Sequence, residues 1–377
     1  MKRLSGYDHI RGAAKKRLPR GIFDFVDGGA GGEVTVWRNR AAFARPEFDP
    51  RFLADVAERD TSTTVLGQKV AMPFLLAPAG LARLAHPRGG ELDAARAAAV
   101  AGTVFCVSIA SSYSLEEIRA ASDGLLWLQL YLWKSDEVVA RLVERAKAAN
   151  YTALVLTIDV PAVGNRERDI RNGVSLPPKI RLDTVLDAVR RPAWVASYLR
   201  SPTIGMANLR EVVPGDVGSV AAYVDRELTD QRATWERVAW LRELWDGPLV
   251  IKGVLSARDA RLAVDYGADA VYVSNHGGRQ LDASPGTLDV LPEIAQAVGG
   301  RAEILLDGGV RRGQDVVMAR ALGATACLAG RPWFFALGAG GRAALEQYLD
   351  VVKRDIDRTL ALVGIPRLDD VDGSVLR

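Results

Sequence analysis

Eight short apolar runs recur along the chain, most of them followed by a segment of helical period. They are 70–80 (VAMPFLLAPAG), 102–111 (GTVFCVSIAS), 125–133 (LLWLQLYLW) and 153–161 (ALVLTIDVP) and, after a gap, 248–255, 270–278, 303–309 and 324–332. Each is continuous rather than alternating, the pattern of a parallel strand covered on both faces. The segments between them, such as SDEVVARLVERAKAAN (135–150) and SARDARLAVDYGA (256–268), place Ser or an acid near the start and Gly or Asn near the end. Those are helix boundary signals. Alternating strands and helices fit an open doubly wound sheet or a closed barrel. Eight units favour the barrel, so the expected fold is α/β, a (β/α)8 TIM barrel.

Two stretches break the rhythm. Residues 1–69 precede the first strand and read as an N-terminal helical cap with a Gly-rich turn, DGGAGGE (27–33). Residues 162–247 form a long insertion after the fourth strand, which a barrel places as a lid over its C-terminal face. The whole chain, 1–377, is therefore expected to be one barrel domain rather than two or three.

Composition narrows the class. A 49% hydrophobic content spread along the chain excludes disorder. Cys106 and Cys327 are the only cysteines and lie in apolar runs, which excludes a disulfide scaffold. The N-terminus lacks the apolar core of a secretory signal, and no run of about 18 uncharged apolar residues occurs. A cytoplasmic location is expected. Forty-nine basic against 46 acidic residues give no case for nucleic-acid binding.

Chemistry should sit where barrel strands end. Those ends carry Gln129 and Tyr131, Thr157 and Asp159, Lys252, Ser274 and His276 with Arg279, Asp307-Gly308-Gly309, and Gly330-Arg331. Of three histidines, His9 and His86 read as structural; only His276 ends a strand, with two glycines and Arg279 after it. Asp159 fits either an orienting carboxylate for that imidazole or a loop cap. Lys252 fits a Schiff-base former or a cation beside a cofactor. The last two ends, with Arg311 and Arg331, fit a phosphate site, or simply tight turns with solvated arginines. No metal is expected, because no second histidine lies at a strand end and the carboxylates are scattered.

SNHGGRQLD (274–282), together with LQLY, TIDVP, RERDIRNG (166–173), VIKGV, LLDGGVRRGQDV and AGRP, closely resembles the FMN-dependent α-hydroxy-acid oxidase/dehydrogenase family. The motifs run in order over essentially the whole chain and lean towards the bacterial mandelate and L-lactate dehydrogenase branch. The resemblance implies FMN as cofactor and oxidation of an (S)-2-hydroxy acid, mandelate-like or lactate-like, to the 2-oxo acid. It makes His276 the base and Asp159 the group that stabilises its charged form. Arg166 and Arg279 would clamp the substrate carboxylate, and Tyr131 would hydrogen-bond the substrate. Lys252 would face the N1–C2=O edge of the flavin. Pro78, Ala79, Gly80, Ser108, Gln129 and Thr157 would contact its ring, and Ser274 would also be cofactor-binding. Asp307 would serve the ribityl chain, and Gly308, Gly309, Arg311, Gly330 and Arg331 the phosphate.

The resemblance further implies electron transfer to quinone and a homotetramer. A soluble oxidase that reduces O2 to peroxide and a non-oxidative FMN-binding barrel are the alternatives. One departure concerns LPRGIFDF (18–25): the family pattern there carries a tyrosine that helps bind the carboxylate, and Phe23 is read as its replacement. Segment 179–210 has six basic and two acidic residues interleaved with apolar and aromatic ones. It fits peripheral contact with the inner face of the cell membrane, or an ordinary amphipathic lid.

Overall fold

The computed structural model describes residues 5–173, 182–210 and 230–377. All eight apolar runs contain barrel strands: β3 (Phe74–Leu76), β4 (Phe105–Ser108), β5 (Leu126–Tyr131), β6 (Ala153–Thr157), β7 (Leu249–Val254), β8 (Ala270–Val273), β9 (Glu303–Leu306) and β10 (Ala326–Ala329). They are parallel and follow one another around the barrel, which β10 closes by pairing with both β9 and β3. The open-sheet alternative is excluded.

Alternation along the strands fixes what faces inward. Leu75, Cys106, Trp127, Val155, Val250, Tyr272, Leu305 and Leu328 form the buried cluster inside the barrel. Stepping two residues further along six of these strands reaches Ser108, Gln129, Thr157, Lys252, Ser274 and Asp307. The apolar filling thus gives way to polar side chains only at the C-terminal end. A second, larger apolar cluster joins the outer strand faces to the surrounding helices.

The cap contains α1 (Tyr7–Arg17), α2 (Arg20–Asp27) and α3 (Val34–Ala42). Pro19 separates the first two, since it cannot supply a helical N–H. Contrary to a purely helical reading of 1–69, residues 63–70 form a hairpin, β1 (Thr63–Val65) and β2 (Gln68–Val70). Its turn, Leu66-Gly67, has φ of 49° and 72°, the double left-handed conformation that tight hairpins need. Val65 and Val70 seal the interior cluster, and Trp127 Nε1 donates to Gln68 Oε1 at 3.1 Å.

The Gly-rich turn reaches the opposite end. Ala30 N–H donates to Gly278 O at 2.8 Å, and a Cβ on Gly29 would lie 2.8 Å from that same oxygen. Only glycine allows the cap to press so closely on the loop that follows His276. Of the insertion, the helices Glu167–Arg171, Leu182–Val189, Pro192–Leu199, Ala207–Arg210 and Glu236–Leu244 are described. Residues 174–181 and 211–229, which include the start of the predicted membrane segment, lie outside the described residues.

Candidate active site

A cavity of about 350 Å3 opens at the C-terminal end of the barrel. The sequence-predicted Tyr131, Arg166, Lys252, His276 and Arg279 line it, with Pro78, Ala79, Gly80, Ser108, Gln129 and Thr157. On the side of the last two strands it is lined by Asp307, Gly308, Gly309, Arg311, Gly330 and Arg331.

His276 is held in an uncommon backbone state, with φ of 58°. A side chain in the left-handed region persists only when its surroundings enforce it. Here Asn275 and Asn39 exchange amide hydrogen bonds of 2.9 and 2.7 Å, and the Asn275 oxygen also accepts from Gly278 N–H. The imidazole Nδ1 lies 3.0 Å from an Asp159 oxygen. Nε2 has no hydrogen-bond partner among the described residues, on a ring that lines the cavity. Asp159 itself stands behind the ring. Gly253, at φ 108°, lets it approach, because a Cβ there would lie 2.7 Å from the Asp159 Cβ.

Burial lowers the pKa of His276, against the pull of Asp159, so the imidazole is neutral and able to take a proton. Burial opposes the charge on Asp159, but Lys252 and His276 overcome it and hold its carboxyl below the usual range. Burial also works against Lys252, and the facing carboxylates Asp159 and Asp307 more than compensate, keeping it an ammonium. Burial raises the Tyr131 phenol, which therefore remains a donor.

Arg166 donates from Nε to the Arg279 carbonyl at 3.3 Å and from a terminal nitrogen to Gln280 Oε1 at 3.2 Å. Arg279 donates to the carbonyls of Phe25 and Gly28 at 2.6 and 3.0 Å. Burial and the like charges of Arg166 and Arg331 press the Arg279 pKa down. Two cations crowded at one wall make a site suited to a carboxylate.

The residues also fit FMN. Ser108 Oγ donates to Gln129 Oε1 at 2.9 Å, and Gln129 Nε2 to Thr157 Oγ1 at 3.1 Å, forming a polar row across three strands. Asp307 Oδ1 is buried without a partner among the described residues, a vacant acceptor for a polyol hydroxyl. Arg311 has no carboxylate partner among the described residues; its guanidinium lies 4.3 Å from the centre of the Tyr7 ring. Beside it, Gly330 begins the helix Arg331–Val363, whose N-terminus favours an anion.

Two sequence expectations are corrected. Phe23 does not line the cavity: it is buried against Phe335, with ring centres 5.4 Å apart. Phe25 lines it instead, with the Arg279 guanidinium 5.1 Å from its ring centre. Residues two apart on a helix point about 200° apart, so only one of the two aromatics can face the barrel mouth. Ser274 does not line it either; its hydroxyl accepts the His276 N–H at 3.1 Å and so braces the loop. Arg331 reaches the cavity but spends three donors on the carbonyls of Val26, Gly28 and Gly277.

Residues missed from sequence are Phe25, Asn39, Gln280 and an apolar wall of Val160, Val163, Met206 and Leu209. Gln280 stood within the SNHGGRQLD run and Phe25 two places after Phe23. Nothing in the local pattern marked the others.

The family model for FMN-dependent dehydrogenases matches residues 14–377. The chain belongs to this family. It is 43% identical over 367 residues to an L-lactate oxidase of Nostoc sp., covering 96% of this chain and 95% of that protein. It is 40% identical over 363 residues to a putative L-lactate dehydrogenase of Mycobacterium tuberculosis, covering 96% and 86%. Among solved structures, a monotopic membrane protein, (S)-mandelate dehydrogenase, superposes with a TM-score of 0.95 at 39% identity, covering 99% of both chains. As a member of the FMN-dependent dehydrogenases the protein is an FMN flavoenzyme, and bound FMN supplies an acceptor for two electrons.

Proposed function

We propose that this flavoenzyme oxidises an (S)-2-hydroxy acid to the 2-oxo acid. The observation that carries the reading is the placement of a neutral His276, backed by Asp159, in the same cavity as the paired arginines Arg166 and Arg279. The arginines bind the carboxylate and thereby fix the α-carbon and its hydroxyl near the imidazole. Tyr131 donates to the bound substrate. His276 Nε2 takes the substrate proton, and Asp159 stabilises the imidazolium that results. Lys252 would hold its positive charge beside bound FMN.

The apolar wall supports a substrate with a bulky apolar side chain, mandelate-like in preference to lactate-like. Val160 and Val163 flank the Asp159 and Arg166 positions. The Met206–Leu209 segment is pinned by Asn208, which bonds Ser111 Oγ at 2.9 Å. The test is anaerobic bleaching of the bound flavin by a panel of 2-hydroxy acids. Aromatic (S)-acids should bleach it fastest; a flavin that none of them reduces would reject the reading.

For the second half of the cycle, quinone is the proposed acceptor, with the enzyme lying peripherally on the inner membrane face as a homotetramer. Support comes from the likeness to the monotopic dehydrogenase and from exposed apolar side chains on the lid, Leu186, Val189 and Leu199. No helix among the described residues is long and apolar enough to cross a membrane. The likeness to a lactate oxidase supports a second reading, with O2 as acceptor. Stoichiometric peroxide under air, with no quinone reduction, would select that second reading. Light scattering of the purified enzyme reads the subunit count.

A further inference from the structure

Tyr272 lies inside the barrel, one layer below the cavity floor, and is fully buried. Its hydroxyl donates to Asp307 Oδ2 at 2.9 Å. Its ring lies 5.4 Å from Lys252 Nζ. Lys252 Nζ in turn stands 4.0 Å from the same Asp307 oxygen. Three groups on three neighbouring strands, β7, β8 and the end of β9, therefore share one buried charge arrangement. Lys252 has two carboxylates to choose between, Asp307 on this side and Asp159 on the other.

We infer that Tyr272 is a positioning residue that tunes the bound flavin: by hydrogen-bonding Asp307 and offering its ring face to Lys252, it keeps their 4.0 Å ion pair from closing to hydrogen-bond contact. The inference rests on the reading of Lys252 and Asp307 as cofactor-facing groups. In a buried site an unsolvated carboxylate takes the nearest available donor. The phenol satisfies Oδ2 and leaves Oδ1 without a partner among the described residues. An ammonium over an aromatic face gains further from the ring quadrupole. Burial raises the Tyr272 phenol far above its ordinary range, so it stays a neutral donor at any working pH.

Without the hydroxyl, Asp307 gains negative character and draws Lys252 towards it. Both changes disfavour added electrons on the cofactor. The midpoint potential of the bound FMN should therefore fall in Tyr272→Phe. The expected shift is about tenfold in the ratio of reduced to oxidised cofactor at fixed potential, about 30 mV for a two-electron couple.

The experiment is a dye-equilibration measurement of the FMN potential in wild type, Tyr272→Phe, Asp307→Asn and the double variant. A purely structural role would alter thermal stability and leave the potential alone. The inference expects Asp307→Asn to raise the potential and to abolish the effect of adding Tyr272→Phe. An unchanged potential in a fully loaded, folded Tyr272→Phe enzyme overturns it. So does a shift that persists undiminished in the Asp307→Asn background, and this comparison stands even where the single Tyr272 variant folds poorly. Wild-type protein that does not bind FMN would instead remove the underlying reading of the cavity.

Discussion

His276 Nδ1 and Asp159 Oδ1 meet at 3.0 Å although 117 residues separate them in the chain. The contact joins the ends of two barrel strands and leaves the other imidazole nitrogen towards the cavity. Asp159→Asn keeps the size but removes the charge that stabilises the imidazolium. General-base assistance contributes on the order of 10²- to 10⁴-fold, so kcat should fall within that range while FMN loading is retained. Stopped-flow flavin reduction measures it; a loss under about threefold would remove Asp159 from the mechanism.

The same pair sets a pH dependence. The proposed base, His276, acts when neutral, and burial lowers its pKa from the usual 6.5. Activity should therefore be full at neutral pH and be lost as pH falls through a midpoint below 6.5. In Asp159→Asn the carboxylate no longer raises that pKa, so the residual acid limb should move to still lower pH. A limb that moves upward in the kcat/KM profile contradicts this assignment.

Phe25 offers a sharper substitution than Phe23. Its ring sits against Arg279 at the cavity, whereas the Phe23 ring packs on Phe335. A hydroxyl placed there can donate to a bound carboxylate, and a hydrogen bond to a charged group contributes about 1.5–3 kcal/mol. Phe25→Tyr should lower KM for 2-hydroxy acids roughly 10- to 100-fold, and Phe23→Tyr should leave KM unchanged. Steady-state kinetics on the two variants side by side decide it; equal effects would mean that the hydroxyl acts through packing.

The Phe23 and Phe25 pair shows where the sequence stopped being legible. Strand ends could be read because continuous apolar runs stop abruptly at Gln129, Lys252 and Asp307, and a barrel gathers such ends at one face. Which of two aromatics on α2 turns inward depends on how that helix docks, and docking is set by contacts with the distant helix Arg331–Val363. The β1–β2 hairpin escaped for a different reason: its short strands alternate, with Thr64 and Lys69 exposed, and so carry no continuous apolar run. Ser274 has the parity of a cavity residue yet is turned beneath the loop by the left-handed His276. Met206 and Leu209 lie in a short stretch of the insertion anchored to the barrel by Asn208, which donates to Ile109 O and Ser111 Oγ, contacts that no local periodicity announces.

Arg311 tests the phosphate side. Removing one partner of a buried ion pair strands a charge, but Arg311 has no carboxylate partner among the described residues, and Arg40 and Arg331 repel it. Arg311→Met should leave the apoprotein melting temperature nearly unchanged. It should weaken FMN binding by about 1.5–3 kcal/mol, the scale of a charged hydrogen bond. Fluorescence titration of the apoprotein with FMN, beside its thermal melt, separates the two effects. A destabilised apoprotein with unaltered FMN affinity would make the arginine structural.

Glu91 braces two cavity loops. One carboxylate oxygen accepts the backbone N–H of Ala82 at 2.8 Å and of Ser112 at 2.9 Å, from the loops that carry Gly80 and Ala110. Each buried donor left unsatisfied costs about 1–3 kcal/mol, so Glu91→Ala should lower stability by roughly 2–6 kcal/mol. Burial raises the Glu91 pKa, so a neutral side chain is well tolerated there and Glu91→Gln, which keeps the acceptor, should lose far less. Chemical denaturation of both variants checks the order, and an equal loss would show that volume, not the hydrogen bonds, holds the loops.

The proposed membrane contact rests on exposed side chains of the lid. Leu186, Val189 and Leu199 are 56%, 67% and 76% exposed, and Arg190, Arg191 and Arg200 lie beside them in the chain. Apolar side chains flanked by cations partition into an anionic bilayer surface. If each of the three contributes on the order of 1 kcal/mol on entering the interface, the triple serine variant should bind vesicles roughly 100-fold more weakly. None of the three lines the cavity, so reduction of a water-soluble dye should be unaffected, while reduction of a membrane-dissolved quinone falls. Cosedimentation with vesicles containing anionic lipid, at low and high salt, measures the first effect. Wild-type enzyme that stays in the supernatant at low salt would show that these side chains meet protein, not lipid.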